Sequence, residues 1–170
     1  MRNALLFLTV IIMLFGGCRK QDPAEENLPT ETDLTACSLT TNCSFLYADN
    51  AGMDGIKLNL TTGQYRVFWA HTSIDYAAFS LYMMAPMIGN SFTLTKEDML
   101  AGRVKYQNNC PTCYSSVMLP VDGKIIGRRI AAKDGLPERW LVQADLVLQA
   151  GGVSAGAQTI HLKQYYLPAN

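Results

Sequence analysis

The chain has 170 residues with 14 basic and 14 acidic side chains, no net charge, 49% hydrophobic residues and 16% charged ones. Such a balance offers no electrostatic handle to nucleic acid or to an anionic membrane face, and argues against both as partners. The length suits one domain able to bury roughly two-thirds of its unfolded surface.

The chain begins MRNALLFLTVIIMLFGGC, in which Arg2 supplies a positive charge and Ala4 to Phe15 form an apolar run broken only by Thr9. A cationic start, an apolar core and a small-residue cleavage zone make a secretory signal peptide. At about 12 residues the apolar run is too short to cross a bilayer as a helix, which takes ~20. Leu14-Phe15-Gly16-Gly17-Cys18 resembles the lipobox of bacterial lipoproteins. The resemblance implies that residues 1–17 are removed and that Cys18, now first, carries acyl chains that make the membrane a partner.

Residues 19–33 (RKQDPAEENLPTETD) are charged, carry two prolines and hold no aromatic. Such a segment buries too little apolar surface to offset its ordering entropy, and is expected to be a flexible tether with a reach of about 20 Å. Lys20 and the acidic residues after it resemble, with interruptions at Arg19, Gln21 and Pro23, the charged export signal of Bacteroidetes surface lipoproteins. The lack of Asp at position 19 fits retention in the outer membrane, on either its periplasmic or its surface face.

From residue 34 to 170, short runs rich in Val, Ile, Leu, Tyr and Phe alternate with Gly, Asn and Asp clusters, the pattern of an all-β domain. Strands are expected at Phe45–Ala48, Ile56–Leu60 and Gln64–Ala70, with DNAGMDG (49–55) as a turn and Thr61-Thr62-Gly63 as a hairpin loop. Tyr76–Met84 lacks alternation and is expected to be a strand covered on both faces. Ser91–Leu94 follows, then a short helix near 95–101 with Thr95 as N-cap. Arg103–Gln107 and Tyr114–Leu119 flank the NNCPTC segment, and Val121-Asp122-Gly123 is expected to turn the chain into a strand ending at Ala132.

In Arg139–Gln149 the residues Trp140, Val142, Ala144, Leu146 and Leu148 share one face, the mark of a half-buried strand. Thr159–Leu167 should pair with it antiparallel across the Gly/Ala-rich loop 150–158. The sum is a single antiparallel β-sandwich or jelly roll with one minor helix, a lipocalin-like barrel being the alternative.

Of the five cysteines, one falls in the lipobox; Cys37, Cys43, Cys110 and Cys113 remain, an even number that reads as disulfides in an oxidising compartment. Proximity favours Cys37–Cys43 with Cys110–Cys113, while crossed pairings stay open. Cys110-Pro111-Thr112-Cys113 resembles a thioredoxin-like redox motif, but the flanks lack the helix that would stabilise a thiolate. Cys43, Cys110, Cys113 and His71 supply zinc-ligand chemistry without the paired spacing of a zinc ribbon, so neither metal nor cofactor is assigned.

His71 and His161 are the two histidines. His161 alternates with apolar neighbours, as a half-exposed strand residue does. Ser73, His71 and Asp75 name the parts of a triad without evidence of its geometry, and no G-x-S-x-G elbow is present, so no catalytic residue is assigned. Carboxylates sit mostly beside Gly in turns, and DNAGMDG has Ala51 and Met53 where a calcium loop needs oxygen ligands. Aromatic side chains are the stronger lead, because a flat face with a polar tip suits sugars and peptides. Trp69, His71, Tyr82 and Tyr165 are the candidate binding residues, with Trp140 assigned to the core.

The body has the general look of the small β-rich lipoproteins of Bacteroidetes. The expected function is that of a cell-envelope lipoprotein binding a glycan, a protein or a small ligand without catalysis. The alternatives are an enzyme using Cys110 and Cys113 or His71, and an assembly role through an exposed strand edge.

Overall fold

Period-two alternation, clearest over residues 139–149, puts apolar side chains on one face, and the strands pair into one sheet. The computed structural model describes residues 28–37, 41–55, 58–74, 77–110, 117–133, 135–150 and 156–169. The described residues form β1 (Asn42–Met53), β2 (Leu60–Thr62), β3 (Tyr65–Ile74), β4 (Ala77–Pro86), β5 (Ser91–Leu94), α1 (Lys96–Leu100), β6 (Val104–Asn109), β7 (Met118–Ile130), β8 (Arg139–Ala150) and β9 (Gln158–Pro168). The sheet order is β5-β7-β8-β9-β1-β3-β4-β6, with β2 added beside β1.

Neighbours pair antiparallel except at one seam, where β1 runs parallel to β9 through only two registered pairs, Leu46 with Leu167 and Tyr47 with Pro168. The fold is all-β, as expected. Its two leaves, β5-β7-β8-β9 and β1-β3-β4-β6, face each other across a core in the manner of a sandwich. The seam joins them into one curled sheet, a half-barrel.

The core lies between the leaves. Phe68 of β3 is fully buried at its centre, with ring centroids of Phe92 at 5.0 Å, Trp140 and Tyr166 at 5.6 Å and Tyr47 at 5.7 Å. Edge-to-face and offset arrangements of this kind add to the apolar burial. Arg66 is buried too, its guanidinium 4.4 Å from the Trp140 ring and bonded by two nitrogens to the Asp49 carboxylate at 2.5 and 2.9 Å. A planar, two-pronged contact is what keeps such a cation satisfied beside an aromatic core.

β8 and β9 pair as the alternation predicts, from Trp140 with Tyr166 to Leu148 with Gln158. Three expected turns prove to be irregularities inside strands. DNAGMDG is not a turn through 49–55: β1 continues to Met53 over a register shift between Ala48 and Ala51. The Thr61-Thr62-Gly63 hairpin is absent, because β2 and β3 both pair with β1 and run on in one direction. Gly63 is needed for contact rather than reversal: a Cβ there would stand 2.5 Å from the Ala51 carbonyl oxygen. Likewise Asp122-Gly123 does not divide β7. Gly123, at φ +126°, sits beside a register shift between Pro120 and Asp122, where a Cβ would meet the Asp145 carbonyl at 2.1 Å. These are β-bulges, which use Gly as turns do but bend a strand instead of ending it.

Residues 28–37 form a strap across the outer face of the β7-β8-β9 leaf. Arg128 Nε donates to the Pro29 carbonyl at 2.6 Å, and Thr35 exchanges bonds with the main chain of Lys163 at 2.8 and 2.9 Å. Thr35 thus takes up the edge of β9 that β1 leaves free below the seam. Leu141 points away from the core by alternation yet is fully buried, because Arg128 and Tyr165, its register partners, lie where the strap crosses. Residues 28–33 of the expected tether belong to this strap; residues 19–27 lie outside the described residues. The strap ends in the Cys37–Cys43 disulfide, which ties it to β1.

Candidate functional site

The outer face of the β1-β3-β4-β6 leaf carries three of the four candidate binding residues. Core positions in β3 are Phe68 and Ala70, so Trp69 and His71 point outward. In β4 the core positions are Leu81, Met83 and Ala85, which turns Ser80, Tyr82 and Met84 the other way. Trp69 pairs with Tyr82 and His71 with Ser80. Directly opposed side chains on one face of an antiparallel pair lie about 5 Å apart at Cβ, so each pair forms one contact surface.

Following the register from strand to strand, one row crosses the leaf and the seam: Lys105 of β6, Tyr82 of β4, Trp69 of β3, Leu46 of β1 and Leu167 of β9. Trp69, Tyr82 and Leu46 are half-buried and Leu167 is exposed. The next row is polar, with Ser44, His71, Ser80 and Gln107 in register. An aromatic strip is therefore edged by hydroxyl, imidazole and amide groups, with the Lys105 ammonium stem at one end.

β4 was expected to be covered on both faces; instead, Tyr82 and Met84 remain half-open to solvent. Its missing alternation reflects apolar side chains displayed on the outside. Sequence reasoning passed over Leu46 and Lys105, whose only signal is their register with Trp69 and Tyr82.

His71 Nδ1 and Ser80 Oγ are 3.0 Å apart. Ser73 shares the outward side of β3 with His71, two residues along, and Asp75 lies outside the described residues. Among the described residues no carboxylate bonds His71, so the pair lacks the group that would orient the ring for base catalysis. Ser80 is buried and its hydroxyl is taken up by His71, so the half-buried imidazole is the polar group this pair presents at the edge of the aromatic strip.

Tyr165 is on the other leaf. The Arg139 guanidinium covers its ring at 4.5 Å, and its phenol is held above the usual range by burial first and then by Glu31 of the strap. The structure thus separates Tyr165 from the three residues it was grouped with: Tyr166, its neighbour, takes the core position, and Tyr165 is left under the strap.

On the same leaf, His161 Nδ1 contacts Asp145 Oδ1 across β8 and β9, and Gln143 Nε2 donates to Asp145 at 2.8 Å. Partial burial opposes ionisation of Asp145, but the bonds from Gln143 and His161 outweigh it and hold the carboxyl below its ordinary value.

Cys43 is committed to its disulfide with Cys37, which removes a thiolate from the zinc set considered above. Among the described residues no group of three or more His, Cys, Asp or Glu side chains is placed to hold a metal ion. Cys110, just past the end of β6, is disulfide-bonded; Cys113, like Cys18, lies outside the described residues.

Comparison with protein-family models, curated proteins and solved structures finds no match.

Proposed function

We propose that the chain is a lipid-anchored binding module of the cell envelope, which takes a saccharide on the outer face of β1, β3 and β4 without chemical conversion. The anchor rests on the signal-like residues 1–17 and on Cys18, with the outer membrane as its site. The row Lys105-Tyr82-Trp69-Leu46-Leu167 carries the binding assignment. Neighbouring Trp and Tyr rings on a rigid sheet present a flat apolar surface to the C–H face of a pyranose, and their own polar edges leave its hydroxyls hydrated or bonded. His71, its Nδ1 held by the buried Ser80, stands one row away to bond those hydroxyls, and Lys105 does the same at the strip's end. Because the sheet is already formed, little ordering entropy opposes binding.

In this reading the cysteines are structural: Cys37–Cys43 fastens the strap, and Cys110 with Cys113 closes the segment after β6. A panel of polysaccharides and oligosaccharides, with binding read by calorimetry, tests the assignment. Wild-type protein is expected to bind at least one glycan, and Trp69→Ala with Tyr82→Ala to weaken it tenfold or more while leaving the melting temperature within a few degrees. Failure of every glycan, or full retention by the double variant, contradicts it. Turnover of a bound glycan would favour an enzyme.

A further inference from the structure

We infer that the end of the half-barrel carrying Ile88 and Leu136 rests against a lipid surface. β1, β4, β7 and β9 end there and β3, β5 and β8 begin there, which places residues 54–55, 58–59, 87–90, 131–133 and 135–138 at one pole. The strap sets the polarity of the molecule. Its start at Leu28 lies at this pole, since Pro29 is bonded to Arg128 near the end of β7, and its finish at Cys37–Cys43 lies at the other, where β1 begins.

Apolar side chains flank the point where the strap begins. Ile88 is 86% exposed and Leu136 is 53% exposed. Ile88 stands three residues before Ser91, the register partner of Arg128, and Leu136 lines with Glu31 of the strap a cavity of about 510 Å³. Among the described residues at this pole, Arg129 pairs with Glu138, Arg128 with Glu31 and the Pro29 carbonyl, and the Arg139 guanidinium lies over the Tyr165 ring. Contact would therefore come from apolar tips entering the headgroup boundary, with little demand for anionic lipid.

Length decides between the two poles. From Cys18 to Leu28 the chain spans at most about 35 Å when fully extended, and its root-mean-square reach is about 17 Å. Strands of the length of β8 run ~40 Å from pole to pole. An acylated Cys18 cannot extend back past the whole body to seat the Cys37–Cys43 pole on the bilayer. With the Ile88 pole down, the Trp69 strip stands along the side of the body, open to a ligand.

The inference rests on the anchor assigned under the proposed function, so the experiment separates the two. Full-length protein purified from membranes is first examined by mass spectrometry of its amino-terminal peptide, then reconstituted in vesicles of ordinary or dibrominated phosphatidylcholine. Ile88→Trp is expected to lose about half of its added indole emission in the brominated vesicles, a shallow insertion of about 5–10 Å, and Leu119→Trp at the opposite pole to lose none. An unmodified Cys18 overturns anchor and inference together. An acylated Cys18 with Ile88→Trp unquenched, or with Leu119→Trp quenched as strongly, overturns the inference alone.

Discussion

Tyr166 is fully buried, and among the described residues its phenol oxygen has no hydrogen-bond partner. A hydroxyl stripped of water without compensation costs about 1–3 kcal/mol, so this ring contributes packing around Phe68 against a polar penalty. Tyr166→Phe is therefore expected to leave stability unchanged or to raise it by about 1 kcal/mol in urea unfolding, whereas most substitutions of buried residues lower it. Burial also pushes the Tyr166 phenol far above its ordinary value near 10. Its neutral form favours the fold at any pH below that value, and the advantage is lost as pH rises beyond it, because the unfolded phenol ionises first. Alkaline unfolding monitored by circular dichroism should therefore shift to higher pH in Tyr166→Phe. Neighbours in sequence part ways here: nothing in the run Tyr165-Tyr166 separates the phenol under the strap from the one in the core, since register with Trp140 decides it. Trp140 itself was legible as core, because its alternation extends over the whole of β8.

Among the elements, those whose pattern is local were readable and those set by a distant partner were not. β8 and β9 match their expected bounds to within a residue or two, as does α1, whose Asp98 accepts the Thr95 N–H at 2.7 Å. The bulges in β1 and β7 were misread as turns, because Asn-Ala-Gly and Asp-Gly serve both purposes and only the paired strand shows which. Gly123→Ala tests this reading. A bulge at φ +126° against the Asp145 carbonyl should lose about 1–3 kcal/mol on gaining a Cβ, whereas a solvent-exposed turn would lose about 1 kcal/mol or less. The strap makes a second test. Its disulfide closes a loop of sequence separation 6, and Cys37→Ser with Cys43→Ser should lower stability by about 2 kcal/mol. Hydrogen exchange should show the loss as faster exchange of the Thr35 and Lys163 amides, which the tied strap protects.

For the molecule as a whole, two leaves joined at a two-pair seam and clasped by the strap hold one aromatic core inward and a smaller aromatic strip outward. The presence of candidate binding residues was legible in the sequence; their assembly was not. Trp69, Tyr82 and His71 come from β3 and β4, and only the hairpin register sets them side by side, while the same geometry sends Tyr165 to the other leaf. That outward strip carries the proposed binding, and the chain supplies its own probe, because it has two tryptophans and one of them, Trp140, is 1% exposed. Acrylamide quenching therefore reports Trp69 nearly alone. Titrated with the glycan that binds best, the protein is predicted to lose its quenchable emission in step with saturation, and Trp69→Phe to show no such change. Saturation with Trp69 still as accessible as in the free protein would contradict the account.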